Sequence, residues 1–582
     1  MARKINYDNW SKEELIKELR RIKETKYGLV WHRDLPEEKI DILINPDART
    51  PNEMFPNEMA GKPFPILKET KNKEINGDKE KPVNLLIEGD NYHSLAVLNF
   101  THHEAIDLIY IDPPYNTGNR SWRYNNNYIE RDDPFRHSKW LAFMEKRLKL
   151  ARNLLKPNGI IIITIDDYEI FPLGMLADEI FGEENRLANI TVLNKKSGRT
   201  TDKFFATCHE YYLVYAKDVE LASINLFELN EDEVAEYKFH DEISAYKWRD
   251  FLRTGGYSTP EERPNSYYPI YYDKKSNIIS IEKLNNSIEI FPIDSKGHKR
   301  VWRQTKPSLL HLINIGDIKI ENNAKNKFSV RIKDRLKVGI KPKTVWDNPR
   351  YDAATHGTKL LESILGESKM FDFPKSLYAV SDAIEIVTKD KKDAIVLDFF
   401  AGSGTTGHAV LELNKKDDGN RQFIICTNNE NGICTEVCYP RVKKNIKGYK
   451  NTKGESVAGL GGNLKYYKTD FVEAEPTDRN KRKLVSESTE ILCIRENAFE
   501  LVQDENDFKI FKNSDKYLGI VFYEEAIGDF KKAIKKIKGH FNTYIFSLGD
   551  DPHEKQFADV KSKVTLCAIP EVILKVYREI FK

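Results

Sequence analysis

The chain has 582 residues, 40% of them apolar and 31% charged, which excludes a single small domain and predicts three or four domain-sized units with sizeable cores. Lys and Arg number 92 and Asp and Glu 90, so the formal net charge is +2 and no global field draws the protein to polyanions; nucleic-acid affinity would have to arise from local basic patches. Six sparse cysteines, with Cys434 and Cys438 four apart and no second pair, predict reduced thiols and no metal site. The charged start Met1-Ala2-Arg3-Lys4 and the shortness of the apolar runs predict neither secretion nor a membrane span, hence a cytoplasmic protein.

Ser11-Lys12-Glu13-Glu14 reads as a capping box, and Leu15, Ile16, Leu19 and Ile22 follow at helical spacing, so an amphipathic helix is expected within residues 1–35. Residues 36–82, rich in Pro, Asn and Lys, read as an irregular connector arm. From 83 to 219 the grammar changes. Asn84–Asp90 and Ala105–Asp112 read as buried strands, each ending in an acidic residue, with a helix around Leu95, Val97 and Leu98 between them. A helix over Trp140–Leu155, the breaker run Pro157-Asn158-Gly159 and a strand Ile160–Ile165 come next. The pattern returns within 344–475, with strand Ala394–Asp398, a Gly-rich turn, a helix from about Thr405 to Leu413 and strand Gln422–Cys426. Alternating helices and near-continuous apolar strands predict an α/β core with a parallel sheet covered on both faces. Residues 220–343 interrupt it with interleaved aromatic and basic residues and read as an insertion. Residues 476–582 read as a separate small α+β domain with strands Tyr517–Tyr523, Tyr544–Leu548 and Val564–Ile569 and a terminal helix carrying Glu571 and Lys575.

Asp112-Pro113-Pro114-Tyr115 follows a buried strand directly. The prolines fix φ and donate nothing, leaving the Pro113 carbonyl free beside the Asp112 carboxylate. Two such acceptors can take both hydrogens of an exocyclic amino group and free its lone pair for attack on an electrophile, while Tyr115 offers a face for the ring to stack on. An ordinary strand-to-loop turn around a buried tyrosine is the other reading. Asp398-Phe399-Phe400-Ala401-Gly402-Ser403-Gly404-Thr405-Thr406-Gly407 is an acid-tipped strand running into a Gly-rich turn, which lets backbone pass close to a ligand. It also fits a dinucleotide site; in either reading Asn428 or Glu430, at the next strand tip, reaches a ribose hydroxyl. Asp398 favours a ligand with a cationic amino-acid moiety over one with phosphates.

With both motifs in this order, the chain resembles the β group of amino-methyltransferases that act on DNA, and in particular the modification subunit of type III restriction-modification systems. The resemblance runs from Tyr27-Gly28-Leu29-Val30-Trp31 through Glu88-Gly89-Asp90-Asn91, Thr164–Glu169, Leu176–Gly182, His209–Tyr215, Glu262-Arg263-Pro264, Thr355-His356-Gly357-Thr358-Lys359 and Phe371–Lys375 to Gly462–Asp470. It implies a Rossmann-like S-adenosylmethionine-dependent methyltransferase sheet, in a catalytic half (83–219) and a cofactor half (344–475), split by a target-recognition insertion (220–343). The domain at 476–582 would then serve dimer or partner contacts. Carried over residue by residue, it makes Asp112, Pro113, Pro114 and Tyr115 catalytic. It places Asp398, Phe400, Gly402, Gly404 and Thr405 at the methionine end of S-adenosyl-L-methionine, Asp90 by its adenine, Phe373 and Lys375 in the motif closing that pocket, and Asn428 at the ribose, with Glu430 in reserve.

The implied reaction is direct transfer to the N6 amino group of an adenine flipped out of double-stranded DNA, with no covalent enzyme intermediate. Asp at the first position of the tetrapeptide favours adenine over cytosine-N4 by the family's habit. Another amino target on the same fold, and a DNA-reading subunit without catalysis, stay open. Arg249, Arg253, Arg263, Arg300, Arg303 and Lys306, with Trp248, Tyr257, Tyr267, Tyr268 and Trp302, suit DNA contact or a solvated face over a small core. Lys195–Thr200 is a basic loop open to the same two readings. The histidines, His102-His103 included, read as structural. The chain carries no phosphate-loop motif for ATP-driven work, so the resemblance implies a separate helicase-nuclease restriction subunit, and a homodimer as the assembly.

Overall fold

The computed structural model describes residues 10–13, 15–16, 63–78, 80–117, 119–124, 127–130, 133–200, 202–322, 328–473, 475, 477–513, 516–547, 553–569 and 573. Most of the expected N-terminal helix, including Leu19 and Ile22, and the terminal helix with Glu571 and Lys575 lie outside them. The chain forms two compact units, one of residues 1–225 with 343–582, the other Leu226–Pro342.

The larger unit is built on a ten-stranded sheet. Its spatial order is Phe64–Glu69, Asn463–Val472, Val83–Glu88, Gln422–Thr427, Ile395–Asp398, Ile106–Ile111, Leu155–Ile165, His209–Ala216, Arg186–Leu193 and Val345–Trp346. The six strands from Asn463–Val472 to Leu155–Ile165 are mutually parallel. The central ones are largely apolar, as strands covered on both faces are: Ile160, Ile161, Ile162 and Ile163 are all fully buried. The sheet is not parallel to its margins as expected. His209–Ala216 runs antiparallel to both its neighbours, since a loop and not a crossover helix joins it to Arg186–Leu193.

The connector arm is a second correction. Phe64–Glu69 pairs antiparallel with Asn463–Val472 and buries Phe64, Ile66 and Leu67 completely. Pro65 argued against a strand, but an edge strand has one side with no ladder to feed, so the missing N–H costs little there. Nor does Pro157-Asn158-Gly159 break a strand. Leu155–Ile165 is continuous, and its register against Ile106–Ile111 slips between Ile106 and Leu108, which extrudes these residues as a bulge. A Cβ on Gly159 would lie 2.9 Å from the Ile106 carbonyl oxygen, so only glycine allows that approach.

Residues 500–567 form their own five-stranded sheet, ordered Glu500–Asp504, Phe508–Lys512, Tyr517–Val521, Phe541–Ile545, Val564–Cys567. The last three strands are parallel. Helix Asp478–Glu496 joins this sheet to the main core: Leu484, Ile491, Leu518, Ile520 and Tyr544 belong to the same apolar cluster as Leu95 and Ile109. The segment is thus a second sheet on a shared core, not the separate domain its sequence suggests.

The smaller unit holds an antiparallel sheet of Ile318–Asn322, Phe328–Arg335, Ala245–Asp250 and Phe239–His240, with helix Lys306–Asn314. Trp302 and Tyr268, expected as stacking residues, are core, with 3% and 4% of their surface exposed. Arg300 pairs with Asp294 at 2.9 Å, Arg249 with Asp334 at 3.7 Å, and Arg303 donates to the Asp250 carbonyl at 2.7 Å. Tyr257 is exposed. Among the described residues no helix is long and apolar enough to cross a membrane.

Candidate active site

Because the central strands are parallel, Glu88, Ile111, Ile165, Asp398 and Thr427 all end on one edge of the sheet. Ile106–Ile111 and Ile395–Asp398 are direct neighbours. From the first the chain proceeds to Leu155–Ile165 on one side, and from the second to Gln422–Thr427 on the other. Connections that diverge in this way leave a crevice at the carboxyl ends, the place where open α/β sheets bind ligands. Asp112 and Asp398 both stand there.

Thr164 Oγ donates to the Asp112 carboxylate at 2.5 Å, and the Lys375 ammonium lies 3.1 Å from the same oxygen. Pro113 behaves as its sequence implies, since its carbonyl takes no hydrogen bond among the described residues, whereas the Pro114 carbonyl is held by the buried Trp140 indole at 2.7 Å. Tyr115 is not an open platform here. Lys375 Nζ sits 4.6 Å above its ring centroid and donates to its hydroxyl, which in turn donates to Glu210 at 3.1 Å. Burial, and then the charges of Asp112 and Glu210, push the Tyr115 hydroxyl well above the ordinary tyrosine pKa.

Glu210 and Lys375 complete this cluster, and neither role is visible in the sequence. Glu210, 4% exposed, accepts from Lys375 at 2.6 Å and from Asn194 at 3.0 Å. Burial pulls the Lys375 pKa down, but Asp112 and Glu210 outweigh it and the group ends above the usual lysine value. Lys375, expected in the motif closing the cofactor pocket, thus contacts two residues of the Asp112–Tyr115 tetrapeptide. Phe373, expected in the same motif, is 88% exposed and has a left-handed φ of 59°. The Phe371 ring lies 3.1 Å from where a Cβ on Gly402 would stand.

On the other side of the crevice, Asp398 is 3% exposed and accepts from the Phe400 amide at 2.9 Å and the Thr406 hydroxyl at 2.5 Å. Burial raises its pKa to about 7. Phe400 packs against Phe143. Gly402 and Gly404 have φ of 48° and 77°, and a Cβ on Gly404 would meet Cys438 Sγ at 3.0 Å. Thr405 points away from the crevice, its hydroxyl accepting from Arg441 at 2.8 Å. Arg441, fully buried and brought by desolvation to a pKa of about 10, also donates to Ser403 at 3.1 Å and so anchors the Gly-rich turn from beneath. The only signal for it is its place beside Val442, Asn445 and Ile446 on the buried face of helix Tyr439–Lys447.

Asp90 caps helix Asn91–Thr101 through the Tyr92 amide at 2.7 Å and lies 3.4 Å from Arg147. Asn91 links that helix to the Gly-rich side, donating to the Phe399 carbonyl at 2.9 Å while accepting from Arg147 at 2.6 Å. Asn428 is exposed at its strand tip, and its side chain accepts from the Glu430 amide at 3.4 Å. Lys195, Lys196 and Arg199 are exposed on the loop after Arg186–Leu193.

Residues 106–437 match the model of a family described as DNA methylase, N6_N4_Mtase. The chain is 34% identical over 403 residues to the type III restriction-modification enzyme EcoPI Mod subunit of Escherichia phage P1, a match covering 63% of this chain and 61% of that one. It is 33% identical over 392 residues to the type II methyltransferase M.KpnI of Klebsiella pneumoniae, covering 66% and 90%. To the StyLTI Mod subunit of Salmonella typhimurium it is 31% identical over 375 residues, covering 59% and 52%. The matched stretch thus spans between half and two thirds of the Mod subunits' length and most of the Klebsiella enzyme's.

Proposed function

The chain belongs to the DNA methylase family, and from that premise we propose that it transfers a methyl group from S-adenosyl-L-methionine to the N6 amino group of adenine in double-stranded DNA, as the modification subunit of a restriction-modification system. The observation that carries this reading is the Lys375 ammonium: an amino nitrogen already rests between the Asp112 carboxylate and the face of Tyr115. A target amino group entering the crevice would take that place, with Lys375 withdrawn onto Glu210.

The donor set fits the cofactor. S-adenosyl-L-methionine, when bound, supplies a methyl group on a cationic sulfonium and carries an α-ammonium. Asp90, Asp112, Asp166 and Asp398 line or border the crevice, and burial leaves Asp166 at about 6 and Asp398 at about 7. Asp398, with Gly402 and Gly404, would hold the amino-acid end, Phe371 would shield it, and Asp90 would face the adenine. Asp112 and the Pro113 carbonyl would accept the two amino hydrogens of the flipped base, leaving its lone pair free, and Asp112 would take the proton released after transfer. Tyr115 would stack on the base once Lys375 moves. The acid at the head of the tetrapeptide supports adenine. The exposed basic loop Lys195–Arg199 and the insertion unit would contact DNA, and a helicase-nuclease subunit would be the partner.

A cation favours ionised Asp398, whereas its burial favours the protonated form. Affinity for S-adenosyl-L-methionine should therefore weaken as pH falls through about 7 and level off above it; calorimetric titration on both sides of pH 7 checks this, and a flat profile would contradict the assignment. The reading as a whole is tested by incubating the protein with labelled S-adenosyl-L-methionine and mixed-sequence duplex DNA. Label in the DNA is expected; none would sink the proposal.

A further inference from the structure

Behind the Gly-rich turn lies a cavity of about 140 Å³. Its apolar walls include Leu360, Leu377 and Leu460, and His356, His408 and Tyr449 add aromatic faces. Asn445 also lines it: only 2% of this residue is exposed, and neither its amide nitrogen nor its amide oxygen has a partner among the described residues. An unmet buried amide is costly, and a group that satisfies both atoms would offset that cost. The one charged side chain in the lining is Glu412, half exposed. His408 is neutral, burial holding its pKa at about 4, so Nδ1 accepts from Arg441 at 3.3 Å and Nε2 donates to Glu412 at 3.4 Å.

A paired donor and acceptor, aromatic and apolar walls, and an acid that repels phosphate describe a receptor for an uncharged planar heterocycle. The asparagine amide matches the edge of adenine, which offers an amino donor beside a ring nitrogen acceptor. We propose that this cavity is a second ligand site, distinct from the carboxyl-edge crevice, that binds an uncharged adenine base or nucleoside through Asn445. Two structural links join it to the crevice. His408 contacts Arg441, which holds Ser403 and Thr405 of the Gly-rich turn. His356 lies on the π-helical turn Ala354–Lys359, where a Cβ on Gly357 would come within 2.2 Å of the Pro374 carbonyl oxygen and 3.0 Å of that of Lys375. An occupant therefore touches both segments that position crevice residues. His356, from the sequence block Thr355–Lys359, gains a place in this site.

The test is calorimetric titration of adenosine into the full chain in the presence of saturating S-adenosylhomocysteine, which blocks the crevice. Binding is expected to persist, and Asn445→Leu is expected to weaken it at least about tenfold while S-adenosylhomocysteine still binds, showing the variant folded. Absence of binding, displacement of adenosine by S-adenosylhomocysteine, or unchanged affinity in Asn445→Leu would overturn the proposal, as would a crystal structure from an adenosine soak with only water on Asn445. Should S-adenosylhomocysteine itself fail to bind, the proposed function is what fails; the Asn445 dependence of adenosine binding then still decides this site.

Discussion

Asp112→Ala should lower kcat for methyl transfer by roughly 10³-fold while leaving affinity for S-adenosyl-L-methionine nearly unchanged. Two features of the structure set that expectation. Asp112 is one of two acceptors able to take an amino hydrogen, and without it only the Pro113 carbonyl remains to draw the nitrogen out of conjugation. Its removal also takes away one of the two carboxylates that hold the Lys375 ammonium, which is left to Glu210 alone. Asp398, on the neighbouring strand, keeps its own partners in Phe400 and Thr406 and loses only the minor repulsion of the Asp112 charge. Single-turnover kinetics beside calorimetric titration of the cofactor measures both quantities. A variant that methylates like wild type would remove Asp112 from the chemistry; one that loses cofactor binding would show that the acid supports the crevice and not the chemistry.

Trp140→Ala should cost about 3–5 kcal/mol of stability, the usual range for deleting a fully buried large aromatic. It should also reduce turnover, through a different cause. The indole nitrogen fixes the Pro114 carbonyl at 2.7 Å, and this bond ties the rigid turn after Asp112 to helix Arg136–Leu154. Trp140→Phe separates the two effects, since it keeps most of the packing and loses the bond, for about 1 kcal/mol. Denaturation midpoints and kcat measured together check the pair. If Trp140→Phe matched wild type in turnover, the indole bond would have no part in placing the tetrapeptide.

The acids at the strand tips were legible because a short apolar run that stops at a carboxylate states both a buried strand and the end where it meets the crevice, as Ile106–Asp112 and Ile395–Asp398 do. The Gly-rich turn was legible because its glycines sit where φ is positive. What stayed hidden depends on chain segments far apart in sequence. Lys375 reaches Tyr115 across 260 positions, and Glu210 meets Lys375 across 165; no local pattern encodes either meeting. Arg441 was hidden because a basic residue on a short helix reads as surface, whereas it is buried against hydroxyls and a neutral histidine. Phe64–Glu69 was masked by Pro65, and Trp302 and Tyr268 by the abundance of basic residues around them. Composition had left DNA contact to local patches, and several of the insertion's arginines turn out to be engaged with acids or carbonyls of their own unit.

Methylation of an adenine amino group in the crevice between Asp112 and Asp398 is read out by digesting the labelled duplex to nucleosides after reaction with S-adenosyl-L-methionine. The label should be found in N6-methyl-2′-deoxyadenosine and disappear with Asp112→Ala; label in N4-methyl-2′-deoxycytidine, or in no nucleoside at all, would contradict it.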